Sequence, residues 1–221
     1  MISRQLAPFG IRLFDCLRNN SSGLALTEFA FALPILMMLM ASGLELANYV
    51  MTTKRMGDLA VLVADNAARM GTRGTLNINQ ISEAEINDVF IGATLQSGNM
   101  DIQTHGRIIL SSLQRNADGG QWIAWQRCLG GLDVDSAYGQ EGEGATGTSF
   151  PGMGPSDRRI EAAAGSAVMV VEVSYEYQPA VGLIALPSTR MTELAAFIVR
   201  EARDLTATPR NPEGVAVSQC D

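Results

Sequence analysis

Residues 24–50 read LALTEFAFALPILMMLMASGLELANYV, and this stretch decides the architecture that the sequence predicts. It contains no basic residue and only two acids, Glu28 and Glu45. As a helix, its 27 residues would measure about 40 Å, enough to cross a hydrocarbon core of about 30 Å with some tilt. Pro34 should bend the helix near Ala30, which membrane helices tolerate. We therefore expect a retained membrane helix with its transmembrane half at about residues 29–50.

Two other interpretations of the stretch stay open at this point. A secretory signal peptide could be cleaved at Ala41-Ser42-Gly43, whose residues are small. A buried core helix is the third possibility, although an uncharged run from Phe29 to Leu44 is unusual for one.

The charge distribution favours the membrane interpretation. Arg4, Arg12 and Arg18 precede the apolar stretch, and arginines in that position hold a chain end in the cytoplasm. Residues 1–53 contain three basic and three acidic residues, so the net charge of −7 falls entirely on the part that follows. We expect this acidic part to be exported.

Composition excludes several classes of function. With 47% hydrophobic residues the chain is not mostly disordered, and 23 acidic against 16 basic residues argue against nucleic-acid binding. One histidine and three cysteines are too few for a typical zinc site.

His105 lies in a polar turn and is expected to be solvated. The pairs Asp133/Asp135 and Glu141/Glu143 could touch calcium loosely, but a solvated acidic loop is the better interpretation. We expect no enzyme, no catalytic residue, no metal and no cofactor.

Residues 22–50, with the later Ala67–Gly71, resemble the N-terminus of TadE-like minor pilins (pseudopilins) of the bacterial tight-adherence (Tad/Flp) pilus. Four residues separate Gly23 from Glu28-Phe29, and Ala30, Pro34 and Glu45 follow. The resemblance implies cleavage by a prepilin peptidase between Gly23 and Leu24. It also implies a role for Glu28 in assembly, with Phe29 beside it. The expected partners are the peptidase, other pilin and pseudopilin subunits, the inner-membrane assembly platform and the lipid bilayer.

The residues alone leave two interpretations of Glu28. If the chain is cut after Gly23, Leu24 gains a charged amine, and Glu28 of one subunit could pair with that amine on a neighbour. Otherwise Glu28 is a solvated acid that favours the N-terminal end of the helix dipole.

The remaining chain predicts an α+β protein in which a small antiparallel-sheet head domain follows the helix, and the resemblance implies that this fold is pilin-like. We expect a leader at 1–23, a long helix at 24–71, the head at 72–209 and a tail at 210–221. Ser82 and Glu85 form a capping box before a helix of about Glu83–Gln96. Strands are expected at Arg107–Gln114, Gln121–Cys128 and Val168–Tyr177, with Asn116–Gly120 as a hairpin turn. Thr192–Leu205 fits a helix or a strand, and we favour a strand.

Three further features concern packing. An apolar stripe after the membrane stretch should pack on its own domain, with a partner helix as the alternative: Met56, Leu59, Ala60, Val63, Ala67, Met70. The glycine-rich stretch 136–166 is expected to be a flexible surface loop, or else a contact with a neighbouring pilus component. Cys128 and Cys220 can form a disulfide in an oxidising compartment, whereas Cys16 would stay reduced in the cytoplasmic leader.

The sequence thus predicts a single-pass protein of the bacterial inner membrane. Its N-terminus would be cytoplasmic, and its head would lie in the periplasm or in an extracellular pilus. The resemblance implies the function of a minor pilin in tight-adherence pilus assembly. The alternative is an exported binding or enzymatic domain with a simple signal sequence or membrane anchor.

Overall fold

The computed structural model describes residues 22–73, 79–182, 190–205 and 208–220. Most of the predicted leader, including Cys16, lies outside these ranges, as does Gly74. Within these ranges there are three α-helices, six strands and a short 3-10 helix at Gly98–Met100. The α-helices and strands are, in chain order, α1 Ser22–Arg69, β1 Thr72–Arg73, β2 Asn79–Gln80, α2 Glu83–Ser97, α3 Ile102–His105, β3 Gly106–Arg115, β4 Gln121–Leu129, β5 Val168–Glu176 and β6 Arg190–Ile198. A long apolar N-terminal helix and an antiparallel sheet confirm the α+β class. The chain separates into two compact units, residues 1–47 with 180–185, and residues 48–179 with 186–221.

The main sheet of the second unit has the strand order β4-β3-β5-β6, and all its neighbours are antiparallel. β3 and β4 form the predicted hairpin, whose turn is closed by the Asn116 N–H donating to the Gly120 carbonyl at 2.9 Å. β5 lies on the other side of β3, with Val171 opposite Leu110, and β6 pairs with β5. The preference for a strand in the ambiguous segment after Thr192 is therefore correct as far as Ile198.

One face of this sheet packs against the C-terminal half of α1 and against α2. All six residues of the predicted apolar stripe are buried in this core, so the stripe packs on its own domain. Phe90 and Ile86 of α2 join the same cluster. Val171 and Val173 of β5 meet them from the sheet, because alternate residues of a strand point to the same face.

The opposite face of the sheet is also covered, which the sequence did not predict. A second apolar cluster joins strand residues to Met153 and Ala162, which belong to the glycine-rich stretch. Met153 is fully buried. As a consequence, the polar residues Glu172 and Ser174, which alternate along β5 with Val171 and Val173, are buried as well. Most of the glycine-rich stretch is exposed, as expected of a surface loop, but residues within it also form a covering layer over this face of the sheet, which the prediction did not include.

Local sequence signals explain where α1 ends and α2 begins. Gly71 has φ +126°, a conformation that side chains rarely adopt, and an added Cβ there would lie 3.0 Å from the Asn79 side chain. Ser82 and Glu85 form the predicted capping box, since the Glu85 N–H donates to Ser82 Oγ at 3.2 Å and the Ser82 N–H donates to Glu85 Oε2 at 3.0 Å.

Candidate functional site

The N-terminal part of α1, residues 22–47, belongs to the first compact unit and exposes apolar side chains on all sides. Phe31 is 79% exposed, Met38 69% and Leu39 67%. The helix runs without a break through Pro34. The most apolar 18-residue segment of this helix has a mean hydropathy of 2.0, and none of that segment is buried. By length and composition, α1 is therefore a candidate membrane anchor.

The residues that the resemblance assigns to processing and assembly lie in the first turns of α1. Gly23, Leu24, Glu28 and Phe29 are all exposed, and Leu24 is 63% accessible. Nothing lies within 4 Å of a Cβ placed on Gly23. Within the described ranges, no hydrogen bond or ion pair involves the Glu28 carboxylate. Both interpretations of Glu28 stay open, and its carboxylate is accessible to a neighbouring molecule.

Glu45, the second acid of the apolar stretch, has the opposite environment. Its side chain is fully buried, and its Oε2 accepts the N–H of Val181 at 2.8 Å and that of Gly182 at 3.4 Å. These residues belong to the same compact unit as the helix. An acid in an apolar span needs a partner. The sequence contained that signal, but backbone N–H groups from a distant segment carry no sequence signature.

The predicted disulfide between Cys128 and Cys220 is present and ties the C-terminal tail to the outer edge of β4. The Cys128 N–H donates to the Ser218 carbonyl at 2.8 Å. Asn87 of α2 holds the same segment, because its Nδ2 donates to the Ala216 carbonyl at 2.8 Å and its Oδ1 accepts from Ser218 Oγ at 2.9 Å. The tail is therefore an ordered part of the head, fastened to both the sheet and a helix.

A buried ion-pair network, which sequence reasoning missed, lies beside the disulfide. Arg127 of β4 donates from Nε and Nη2 to Glu83 at the start of α2, with the closest N–O distance 2.5 Å. Its Nη1 also reaches Glu141 Oε2 at 3.2 Å, and that oxygen accepts the Gln126 N–H at 2.8 Å. Glu141 is exposed, as the solvated-loop prediction has it, and its carboxylate also bonds the buried Arg127 and the Gln126 backbone.

A polar cleft of about 330 Å³ opens between the second sheet face, the glycine-rich stretch and the tail. Gln126, Ser136 and Glu141 are among its lining residues. Nearby, Glu172 accepts hydrogen bonds from the Ser136 hydroxyl and from the Ala137 N–H at 2.9 Å. Burial raises the pKa of Glu172 above its ordinary value, and these two hydrogen bonds oppose that rise.

The remaining candidate residues stand apart from this cleft or at its rim. His105 ends α3, is partly exposed, and its Nδ1 lies 3.2 Å from Gln178 Nε2. Asp133 and Asp135 are exposed, and Glu143 accepts the Gln140 N–H at 3.2 Å. In the part of the chain that the structure describes, no three potential metal ligands converge.

Arg203, which is not among the predicted site residues, binds carbonyl groups at the C-terminal end of α1. Arg203 donates from Nη2 to the carbonyls of Ala67, at 3.2 Å, and Met70. Burial lowers the pKa of Arg203 to about 10, while the charge of Glu85 opposes that fall. Cations at helix C-termini are favourable, but nothing in the local sequence of Arg203 predicts this contact.

No family model matches this chain, and neither a curated protein nor a solved structure matches it.

Proposed function

We propose that the chain is a membrane-anchored assembly subunit of pilin type, a minor pilin or pseudopilin of tight-adherence pilus biogenesis, and not an enzyme. One observation carries the proposal: α1 is a single helix that begins with exposed apolar residues and ends in the core of an α+β head. A helix whose apolar surface is not covered by its own domain needs lipid or other helices around it. We propose both settings for this helix: lipid around the anchored subunit, and neighbouring helices in a bundle after assembly.

The head is compatible with export to an oxidising compartment. Disulfides such as Cys128–Cys220 form and persist in such compartments. The whole formal net charge of −7 is located in the residues after 53. We propose the bacterial inner membrane as the site of the subunit, with the N-terminus in the cytoplasm and the head in the periplasm or in a pilus. The proposed partners are a prepilin peptidase, other pilin and pseudopilin subunits and the inner-membrane assembly platform.

The test of this proposal is the N-terminal residue of the mature protein, measured by mass spectrometry of membranes from its own host. A start at Leu24 is expected. A start near Leu44 would make the protein a secreted soluble domain, and an intact Met1 would leave a simple anchor. Gly23→Leu should abolish the Leu24 start, because the expected cleavage needs a small residue there. Gly43→Leu is the matched control and should leave that start unchanged, since an added Cβ meets nothing within 4 Å at either glycine.

Glu28 provides a second test of the assembly role. Glu28→Ala should leave membrane insertion intact and reduce pilus output, because the neighbouring subunit's amine loses its counter-charge. Glu28→Asp keeps the charge and should retain more output than Glu28→Ala. Equal piliation in the wild type and Glu28→Ala, scored by electron microscopy and shear-released pilus protein, would remove the pairing role.

A further inference from the structure

We propose that the turn Ala180–Gly182 docks on the lipid bilayer beside α1 and gives the protein a second membrane contact. This inference rests on the membrane-anchored role proposed above, and its occupant is the boundary between lipid headgroups and acyl chains. The turn follows β5, and its three residues are exposed and uncharged.

The position of the turn along α1 is fixed by Glu45. The carboxylate of Glu45 accepts the N–H groups of Val181 and Gly182, and the turn belongs to the same compact unit as the first part of α1. Leu44 and Leu46 flank Glu45 in the helix, and each is 59% exposed. The turn is therefore held at a level of α1 where the helix still presents apolar side chains outward, at the C-terminal end of the apolar stretch.

The surface chemistry of the turn suits lipid better than water. Val181 is 40% exposed, and no charged residue occurs in the sequence between Glu176 and Arg190. Other exposed turns of the protein do carry charges, for example Asp118 in the β3–β4 hairpin and Asp157 in the glycine-rich stretch. Apolar side chains at the level of an apolar helix surface extend that surface, and the area removed from water favours membrane binding.

Two backbone N–H groups of the turn meet one requirement for leaving water. Peptide N–H groups that leave water need hydrogen-bond partners, because each unsatisfied group costs several kcal/mol in hydrocarbon. The N–H groups of Val181 and Gly182 are already bonded to Glu45. The same bonds place the Glu45 carboxylate beneath the turn, where its side chain is fully buried.

The experiment measures lipid exposure with spin labels on the full-length chain in phosphatidylcholine/phosphatidylglycerol vesicles. All variants carry Cys16→Ser, so that the label attaches only to the new cysteine while Cys128 and Cys220 stay oxidised. Val181→Cys is the test position, Leu46→Cys is the lipid reference on α1, and Leu95→Cys on α2 is the water reference, with a side chain 79% exposed. The measured quantity is the ratio of collision rates with oxygen, which partitions into lipid, and with a water-soluble nickel chelate. Intact-mass analysis and circular dichroism check the disulfide and the fold of each variant.

The proposal predicts a ratio at position 181 close to that at position 46 and several-fold above that at position 95. A ratio at 181 equal to that at 95, with 46 still in lipid, overturns the turn's docking and keeps the anchor. A label at 181 that is shielded from both reagents places the turn against protein, such as a second copy, and also overturns the proposal. Water exposure at position 46 itself contradicts the proposed anchor, so the two failures are distinguishable.

Discussion

Three charged side chains inside the head, those of Arg127, Arg203 and Glu172, are stabilised by different kinds of partner. Arg127 has two carboxylate partners, and Arg203 donates to carbonyls at the end of α1. Glu172 accepts two hydrogen bonds but faces no arginine or lysine among the contacts of the described residues. A buried carboxyl group with only neutral donors is disfavoured in its ionised form. Of the three, Glu172 is therefore the residue through which pH should affect stability.

The gain in stability from Glu172→Gln, relative to the wild type, should be larger at neutral pH than at acid pH. Because the pKa of Glu172 is raised in the folded chain, the folded state binds more protons than the unfolded state over part of the acid range. The free energy of unfolding of the wild type therefore falls as pH rises from below the ordinary pKa of 4.5 through the raised value. Glutamine is neutral throughout and keeps an oxygen that can accept the Ala137 N–H. The difference in unfolding free energy, variant minus wild type, should become more positive between about pH 4 and pH 7.

Thermal unfolding of the detergent-solubilised full chain at a series of pH values measures this difference. Glu176→Gln is the matched control, because Glu176 ends the same strand and is exposed. A flat difference for Glu172→Gln would show that this carboxyl group titrates normally in the folded chain.

At the scale of elements, local patterns predicted well what they specify locally. Ser82 and Glu85 correctly predicted the start of α2, and the Asn116–Gly120 turn correctly predicted the β3–β4 hairpin. The helical spacing of the apolar stripe correctly predicted the buried face of α1. The segment that begins at Val168 showed strand alternation, but not that both faces are buried. The covering layer that buries the second face comes from a glycine-rich stretch without periodicity, so no pattern rule could place it.

Ser82→Ala should destabilise the head by about 0.5–2 kcal/mol, since it removes the side-chain acceptor at the N-cap of α2. Ser149→Ala, at an exposed position of the glycine-rich stretch, is the control and should change stability by less than about 0.5 kcal/mol. Urea unfolding of both variants gives the comparison. Equal midpoints for the two would mean that the capping box contributes nothing.

Loss of the disulfide should release the tail from the edge of β4. The Cys128→Ser/Cys220→Ser double variant is expected to lose about 2–5 kcal/mol of unfolding free energy, because the bond closes a long loop. Faster hydrogen exchange at the backbone amide of position 128, which donates to Ser218 in the wild type, should accompany this loss. Cys16→Ser is the control and should leave both quantities unchanged. Unaltered exchange in the double variant would show that hydrogen bonds alone hold the tail.

At the scale of the whole molecule, composition and charge order predicted an apolar helix followed by an acidic head. What they could not predict is how the two acids of the apolar stretch differ. Glu28 is exposed, whereas Glu45 is buried against backbone from residues far along the chain. This contact joins residues that are far apart in the sequence. A single sequence shows periodicity within a helix or strand, but it does not show which distant backbone segment contacts that element.

Leu39→Arg should impair membrane retention of the whole protein. Leu39 lies in the middle of the apolar stretch and is 67% exposed, and an arginine at the centre of a membrane helix costs about 2.5–3.5 kcal/mol. Leu95→Arg, at a 79% exposed position of α2, is the matched control and should stay membrane-bound. The measurement is the fraction of protein that resists carbonate extraction. Equal retention of both variants would argue against a lipid-facing α1.

The bond between Cys128 and Cys220 has a consequence for how the head responds to proteolysis. It encloses the glycine-rich stretch, where the exposed Arg158 and Arg159 offer sites for trypsin-like cleavage. A cut there would leave two fragments still joined by sulfur, and the strands on either side would stay paired through β3 and β5. The nicked protein should migrate as one band without reductant and as two with it. A head built this way can be cut in the glycine-rich stretch while its two parts stay joined.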